Sequence, residues 1–174
     1  SKHIIKGDRC LLVSENRPEW MISDLSIMLS GGVTVPAYTT YAERDYEYII
    51  EDCTPAIIII SDKTQYEKIK NIIKKKKFIK KVIFFENIES INEELNLKIH
   101  DIFKKDHHNN KNFYNLKIQR KDMACIIYTS GTQGNPKGVM LSHGGILNNC
   151  DGAYGLLKTF ISKRPKFLTW LPLS

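Results

Sequence analysis

The sequence has few cysteines, and none of them is spaced as a metal ligand. Cys10, Cys53, Cys125 and Cys150 lie far apart, with no C-x-x-C pair and no Cys/His pair at zinc spacing. We interpret all four as reduced, small apolar residues. Neither a zinc-binding module nor a disulfide-stapled scaffold fits this pattern.

Long hydrophobic runs are also missing. No apolar run reaches the roughly 18 residues of a membrane-spanning helix. No secretory signal pattern opens the chain, and no Asn-x-Ser/Thr sequon occurs. The sequence therefore predicts a cytoplasmic location, or one at the cytosolic face of a membrane.

Arginine is scarce: 5 Arg accompany 21 Lys in 174 residues with a net charge of +7. Proteins that read nucleic acid rely on arginine forks, and the aromatic interleaving of an RNA-binding sheet is absent. No nucleic-acid partner is therefore expected. We interpret the lysine cluster over 74–81 as a solvated helix end, where cations suit the helix dipole. Contact with an anionic surface is the alternative.

What the sequence does contain is an alternation of short β-rich runs with stretches of helical spacing. This alternation is typical of β-α-β units and predicts an α/β fold, with a parallel or mostly parallel sheet and flanking helices. The predicted strands are 10–13, 33–36, 56–60 and 81–85. The first predicted helix begins at Arg17, and two further helices are predicted over 43–53 and 63–76.

Two of these elements carry specific expectations. The isoleucine-rich strand 56–60 is expected to be central, because continuous apolar strands are buried on both faces of parallel sheets. The first helix is expected to pack through one apolar stripe, formed by Met21, Ile22, Leu25, Met28 and Leu29.

Residues 86–119 lose this periodicity and accumulate Asn, Lys and His, which predicts a surface insertion. His107 and His108 are adjacent but lack a third ligand nearby in the sequence. We therefore interpret them as solvated side chains and not as a metal site.

A polar, glycine-rich segment follows the predicted strand 123–128. Between Thr129 and Gly138 lie three hydroxyl side chains, three glycines and Lys137. Glycine permits turns that aim successive backbone N–H groups at one anion, and hydroxyls and a lysine add further donors. The segment therefore predicts a loop that binds a polyphosphate.

The spacing of this segment excludes two common nucleotide loops. A Walker A loop needs G-x-x-x-x-G-K-[ST], yet Pro136 stands five residues after Gly131, and Gly138 follows Lys137. A dinucleotide fingerprint needs one residue between its first two glycines, whereas two residues separate Gly131 from Gly134.

The order of residues in this segment resembles a known signature. Tyr128 to Gly138, followed by Val-Met-Leu-Ser-His over 139–143, is similar to the phosphate-binding motif of the adenylate-forming enzymes. That family includes acyl-CoA synthetases, luciferases and peptide-synthetase adenylation domains. Gln133 stands where the family usually has Thr, and its amide can still donate. Segments 7–9, 15–20, 31–40 and 170–174 look like the long-chain fatty acyl-CoA synthetase branch.

The resemblance implies which residues bind ATP. The β- and γ-phosphates would be held by Thr129, Ser130, Gly131, Thr132, Gln133, Gly134 and Lys137. It places no catalytic residue and no metal ligand in this chain. The family's magnesium-binding glutamate, adenine contacts, CoA-binding elements and catalytic lysine all lie further along.

The resemblance also implies an activity, that of an ATP-dependent acid-thiol ligase. A long-chain fatty acid would be activated by MgATP to an acyl-adenylate and then transferred to CoA, so that fatty acid, ATP and CoA are the partners. Two alternatives remain. One is an acyl-activating enzyme for a different carboxylate, and the other is a basic, non-catalytic module that binds nucleotide or an anionic surface.

On the same resemblance, residues 1–174 are an incomplete N-terminal large domain, the ATP/AMP-binding region, without the family's small C-terminal domain. The 174-residue piece alone is then expected to be inactive. The long-chain branch implies peripheral contact with the cytosolic face of membranes such as the endoplasmic reticulum.

Ser142-His143 suggests a Ser/His nucleophile, but adjacent residues at a strand end point in opposite directions. We interpret Ser142 as the cap of a helix over 144–160.

Overall fold

The protein is an α/β structure built on one mostly parallel sheet. A computed structural model describes residues 4–86, 96–98, 116–129 and 136–159, with the backbone alone for 96–98. The strands are β1 (Arg9–Val13), β2 (Val33–Ala37), β3 (Ile57–Ile60), β4 (Lys81–Phe84), β5 (Asn96–Lys98), β6 (Met123–Thr129) and β7 (Lys137–Ser142). Their order in the sheet is β5-β4-β3-β1-β2-β6-β7. Only the β6–β7 pair of this described sheet is antiparallel. The predicted fold class is confirmed.

Helices connect the first four strands. They are α1 (Pro18–Leu29), α2 (Glu43–Cys53) and α3 (Lys63–Lys75), and α4 (His143–Leu157) follows β7. Leu11 and Val13 of β1 face a core shared with α2 and α3, while Cys10 and Leu12 face the side covered by α1. Helices on both faces bury the central strands, which explains their continuous apolar sequence. No helix among the described residues is long and apolar enough to cross a membrane.

The isoleucine-rich strand is an interior strand, as expected. All four residues of Ile57–Ile60 are buried, and β3 pairs in parallel with β1 on one side and β4 on the other. The middle position of the seven-stranded order belongs to its neighbour β1. The predicted bounds of α2 are those observed, and the other predicted strands and helices of the first 86 residues differ by one or two residues at their ends.

The predicted stripe of α1 is wrong. The side chains that α1 buries are Trp20, Ser23 and Ile27. Four members of the predicted stripe are exposed instead, namely Met21, Ile22, Leu25 and Leu29. The predicted set and the buried set both have helical spacing, and the set that packs against the sheet is the less apolar of the two. The stripe thus remains an exposed apolar surface in the described structure.

The helix cap at Ser142 is confirmed. Its Oγ accepts a hydrogen bond from the backbone N–H of Gly145 at 3.1 Å, which satisfies one free donor at the start of α4. The helix begins one residue earlier than predicted, at His143, and ends at Leu157. At the start of α3, Asp62 plays the same role by accepting from the N–H of Gln65.

Most of the predicted insertion over 86–119 lies outside the described residues, including His107 and His108. Three parts of it are described, namely Glu86, 96–98 and 116–119. Asn96–Lys98 forms β5 and pairs in parallel with β4 at the edge of the sheet. Leu116 packs near Gly31, because a Cβ atom added to this glycine would lie 3.3 Å from the leucine side chain.

Burial sets the reactivity of the cysteines. Cys10 and Cys53 are buried, and this raises the pKa of each thiol to about 12, whereas Cys150 is exposed on α4. Because the thiolate is the reactive form, we expect a thiol reagent to label Cys150 first in the folded 174-residue chain. Cys10 and Cys53 should be labelled only after unfolding. Peptide mass spectrometry with and without denaturant measures this, and fast labelling of Cys10 in the folded chain would contradict the assigned burial.

Candidate functional site: a phosphate-binding hairpin

The predicted loop joins two antiparallel strands. Thr129 is the last residue of β6 and Lys137 the first of β7, and the two stand directly opposite each other in the strand register. Both are exposed. A hydroxyl and an ammonium group therefore share one face at the end of the hairpin where β6 ends and β7 begins, since cross-strand partners point to the same side.

The other five predicted phosphate contacts are outside the part of the chain that the structure describes. Ser130, Gly131, Thr132, Gln133 and Gly134 lie outside the described residues. The structure thus brings together the two ends of the predicted set, Thr129 and Lys137. The role of all seven residues in phosphate binding remains a prediction.

Tyr128 packs on the opposite face of the hairpin. It is buried, and its cross-strand partner is Gly138. A Cβ atom at Gly138 would lie 2.9 Å from a methyl carbon of Ile126 and 3.3 Å from the Tyr128 ring. Only glycine leaves room for the ring here, so the tyrosine and the glycine of the motif are explained by packing.

The hydroxyl of Tyr128 reaches a residue far away in the sequence. Its Oη donates a hydrogen bond to Oδ2 of Asp52, near the end of α2, at 2.5 Å. Burial of the ring raises the pKa of Tyr128, and the bond to Asp52 raises it further, so the hydroxyl stays protonated at neutral pH. The sequence analysis missed Asp52. No local pattern indicates it, because its partner is 76 residues away.

The end of α2 is itself held by Arg9 of β1. The Arg9 guanidinium donates to the carbonyl oxygen of Cys53 at 2.7 Å. It also donates to the carbonyl oxygen of Thr54 at 3.2 Å and to the Thr54 hydroxyl oxygen at 2.6 Å. Cations at a helix C-terminus satisfy its free carbonyl groups. Between this arginine, α2 and the hairpin lies a cavity of about 230 Å³, lined in part by Asp52, Tyr128 and Gly138.

The base of the hairpin is held in a different way. The backbone N–H of His143 donates to the carbonyl oxygen of Asp122 at 3.0 Å, and the backbone N–H of Gly144 donates to the carbonyl oxygen of Arg120 at 2.7 Å. The Asp122 carboxylate also pairs with the Lys6 ammonium at 2.6 Å. The start of α4 is thereby tied to the residues that lead into β6.

The donor chemistry of the described hairpin suits an anion. Thr129 and Lys137 offer a hydroxyl and a positive charge, which fits phosphate oxygens. Within the described ranges, no group of three or more His, Cys, Asp or Glu side chains is placed to hold a metal ion.

Comparison with known proteins shows the family. The model of the AMP-binding enzyme family matches residues 1–174. The chain belongs to this family. The predicted membership of the adenylate-forming enzymes is therefore confirmed.

Among curated members of the AMP-binding enzyme family, the chain is 30% identical over 178 residues to long chain acyl-CoA synthetase 3 of Arabidopsis thaliana, covering 97% of this chain and 27% of that protein. It is 30% identical over 155 residues to fatty acyl-CoA synthetase A of Dictyostelium discoideum, covering 85% and 23%. The chain thus spans about a quarter of the length of these relatives.

Solved structures show the same fold at lower identity. A luciferase-like enzyme from the mealworm Zophobas morio matches with a TM-score of 0.73 at 20% identity, over 88% of this chain and 34% of that one. A putative long-chain-fatty-acid CoA ligase from Rhodopseudomonas palustris matches with a TM-score of 0.72 at 17% identity, over 89% and 36%. At such identities the likeness establishes the fold of this AMP-binding family member and nothing further.

Proposed function

We propose that the protein uses ATP to activate a long-chain fatty acid and then transfers the acyl group to CoA. The observation that carries this proposal is the hairpin, in which Thr129 and Lys137 face each other across a motif of the adenylate-forming type. Relatives named long chain acyl-CoA synthetase, at about 30% identity over nearly the whole chain, support the substrate class.

In this proposal the fatty-acid carboxylate oxygen attacks the α-phosphorus of ATP, and the bond to the bridging oxygen of pyrophosphate breaks. The CoA thiol then displaces AMP and gives up its proton. The chain's part is to hold the leaving pyrophosphate. Lys137 neutralises charge that develops on the leaving group, and the Thr129 hydroxyl donates to it, which are the main needs of phosphoryl-centred substitution.

Magnesium fits this proposal as a companion of the nucleotide. Mg²⁺ binds phosphate oxygens together with one or two carboxylates and several waters, and it would neutralise part of the triphosphate charge. The described residues at the end of the hairpin where β6 ends and β7 begins supply hydroxyl and ammonium groups but no carboxylate.

We also propose that residues 1–174 form the N-terminal part of a larger domain. Apolar side chains on α1, β7 and α4 support this, because Leu29, Met140, Tyr154 and Leu156 are 65–77% exposed. Exposed apolar surface of this extent is typical of a face that another part of a protein covers. Peripheral membrane contact and a location at the cytosolic face of membranes stay predictions from the resemblance.

The test is an assay of the protein in its full length with ATP, CoA and a panel of carboxylates. We expect acyl-CoA and pyrophosphate to form in equal amounts with palmitate, and far less with acetate, benzoate or anthranilate. The 174-residue chain, assayed in parallel, is expected to make none. Turnover of a short or aromatic acid in preference to palmitate would instead support an acyl-activating enzyme for another carboxylate. ATP binding without any thioester would support the non-catalytic module.

A further inference from the structure

The two strands of the hairpin both contact one buried side chain, that of Tyr128. The hydroxyl of Tyr128 donates a hydrogen bond to Asp52. We propose that Asp52 is a positioning residue: through Tyr128 it holds the strand that presents Thr129, and with it the phosphate-binding end of the hairpin. This inference rests on the proposed function, because it gives Asp52 a part in binding ATP. Asp52 itself acts through Tyr128 and touches no substrate.

The first support is the way β6 is held in the sheet. The register between β6 and β2 consists of one residue pair, Thr34 with Cys125, in the described part of the sheet. Thr129 lies four residues beyond Cys125, or about 13 Å along an extended strand. β6 and β2 lie side by side, but beyond Cys125 the backbone register of β6 in the described sheet is with β7, which lies at the edge of that sheet. A side-chain contact with α2 therefore adds to what holds this part of β6 in place.

The bond from Tyr128 to Asp52 supplies that contact at the right place. Tyr128 is the residue immediately before Thr129, and its ring lies against Gly138, the residue immediately after Lys137. The Tyr128 side chain thus contacts both strands beside the pair Thr129 and Lys137, which in the proposed function faces the phosphates of ATP. Moving the ring moves Thr129 and Lys137 together.

The acceptor is fixed to the centre of the sheet. Asp52 precedes Cys53 and Thr54, whose carbonyl groups accept from Arg9 of β1. Thr54 closes the helix in the left-handed conformation, with φ of 41°. A chain of contacts therefore runs from β1 through Arg9 and the end of α2 to Asp52, and then through Tyr128 to the hairpin.

The chemistry of the pair makes the contact strong. A carboxylate is a charged acceptor, and hydrogen bonds to charged groups are roughly twice as strong as those between neutral groups. Asp52 is exposed at the helix surface, whereas the Tyr128 ring is buried. Replacing Asp52 therefore removes an acceptor without opening a cavity in the core.

The experiment uses four variants of the full-length protein: Asp52→Ala, Asp52→Asn, Tyr128→Phe and the double variant Asp52→Ala/Tyr128→Phe. For Asp52→Ala we expect kcat/KM for MgATP to fall about tenfold, the effect of losing one charge-assisted hydrogen bond, while KM for CoA is unchanged. Asp52→Asn keeps a weaker acceptor and should retain most of the activity. Glu47→Ala, at an exposed position five residues earlier on α2, is the matched control and should behave as wild type.

The double variant decides whether the two residues act as a unit. If they do, Tyr128→Phe costs as much as Asp52→Ala and the double variant costs no more than either, because the same bond is lost in each. Losses that multiply would overturn the proposal. So would a wild-type value for Asp52→Ala, or equal damage to the kinetics of ATP, fatty acid and CoA, which would indicate a general structural role.

Calorimetric titration with ATP, in the absence of fatty acid and CoA, separates this inference from the proposed function. If the protein binds ATP but makes no thioester, the function is wrong, and the positioning role is still decided by the affinity of Asp52→Ala relative to wild type. Equal affinities would refute it. If the wild-type protein binds no ATP, both proposals are wrong.

Discussion

Replacing Lys137 by alanine is expected to lower kcat/KM for ATP about 100-fold in the full-length protein, the usual effect of removing one group that stabilises transition-state charge. Lys137 is exposed at the first position of β7, directly opposite Thr129. Its side chain is not part of the packed core, so the loss should appear in catalysis and not in folding. Steady-state kinetics with ATP as the varied substrate measure it.

Two further variants make this result specific. Lys77→Ala removes the same charge at the exposed end of α3, beyond its last residue Lys75, and should leave kcat/KM unchanged. Lys137→Arg keeps the charge but alters its shape and reach, so an intermediate value is expected. If Lys137→Ala were as active as Lys77→Ala, the lysine would have no role at the phosphates.

The second large effect is expected for Gly138→Ala. Two contributions oppose each other here. Alanine in place of glycine within a strand or helix normally stabilises it by about 0.5–1 kcal/mol. At Gly138, however, the added carbon would lie 2.9 Å from the Cγ2 methyl of buried Ile126 and 3.3 Å from the Tyr128 ring. Overpacking of this kind costs about 1–3 kcal/mol, so the net effect is destabilising.

The matched control is the same substitution at Gly152 in α4. An added Cβ there meets no described atom within 4 Å, and alanine is the better helix former. Thermal or denaturant unfolding should therefore show the two variants moving in opposite directions from wild type. A Gly138→Ala protein as stable as Gly152→Ala would mean that the hairpin relaxes without cost. In that case Tyr128 would not be held as tightly as the structure indicates.

Local patterns predicted much of the fold for a physical reason. The bounds of α2 over Glu43–Cys53 were predicted without error because helical spacing is set within the segment itself. The cap at Ser142 was predicted for the same reason, since a cap bonds a residue three positions along. The strands of the parallel sheet follow from continuous apolar runs bounded by polar residues.

The face of α1 could not be predicted in this way. The helix carries two apolar sets, and the richer one, with Leu25 and Leu29, is the exposed one. The choice depends on how the connections to β1 and β2 orient the helix on the sheet, and here they turn Trp20 and Ile27 inward. Hydrophobic spacing alone does not contain that information, because both stripes satisfy it.

The same distinction between local sequence and tertiary contacts applies to the candidate site. The sequence by itself determined the family, the α/β class and the position of the motif between Tyr128 and Gly138 that is predicted to bind phosphate, because these depend on the order of residues over short stretches. Only the tertiary structure decided that Thr129 faces Lys137, that Gly138 leaves room for the Tyr128 ring, and that Asp52 accepts from its hydroxyl. Such contacts join residues up to 76 positions apart, and they exist only once the sheet has brought α2 and the hairpin side by side.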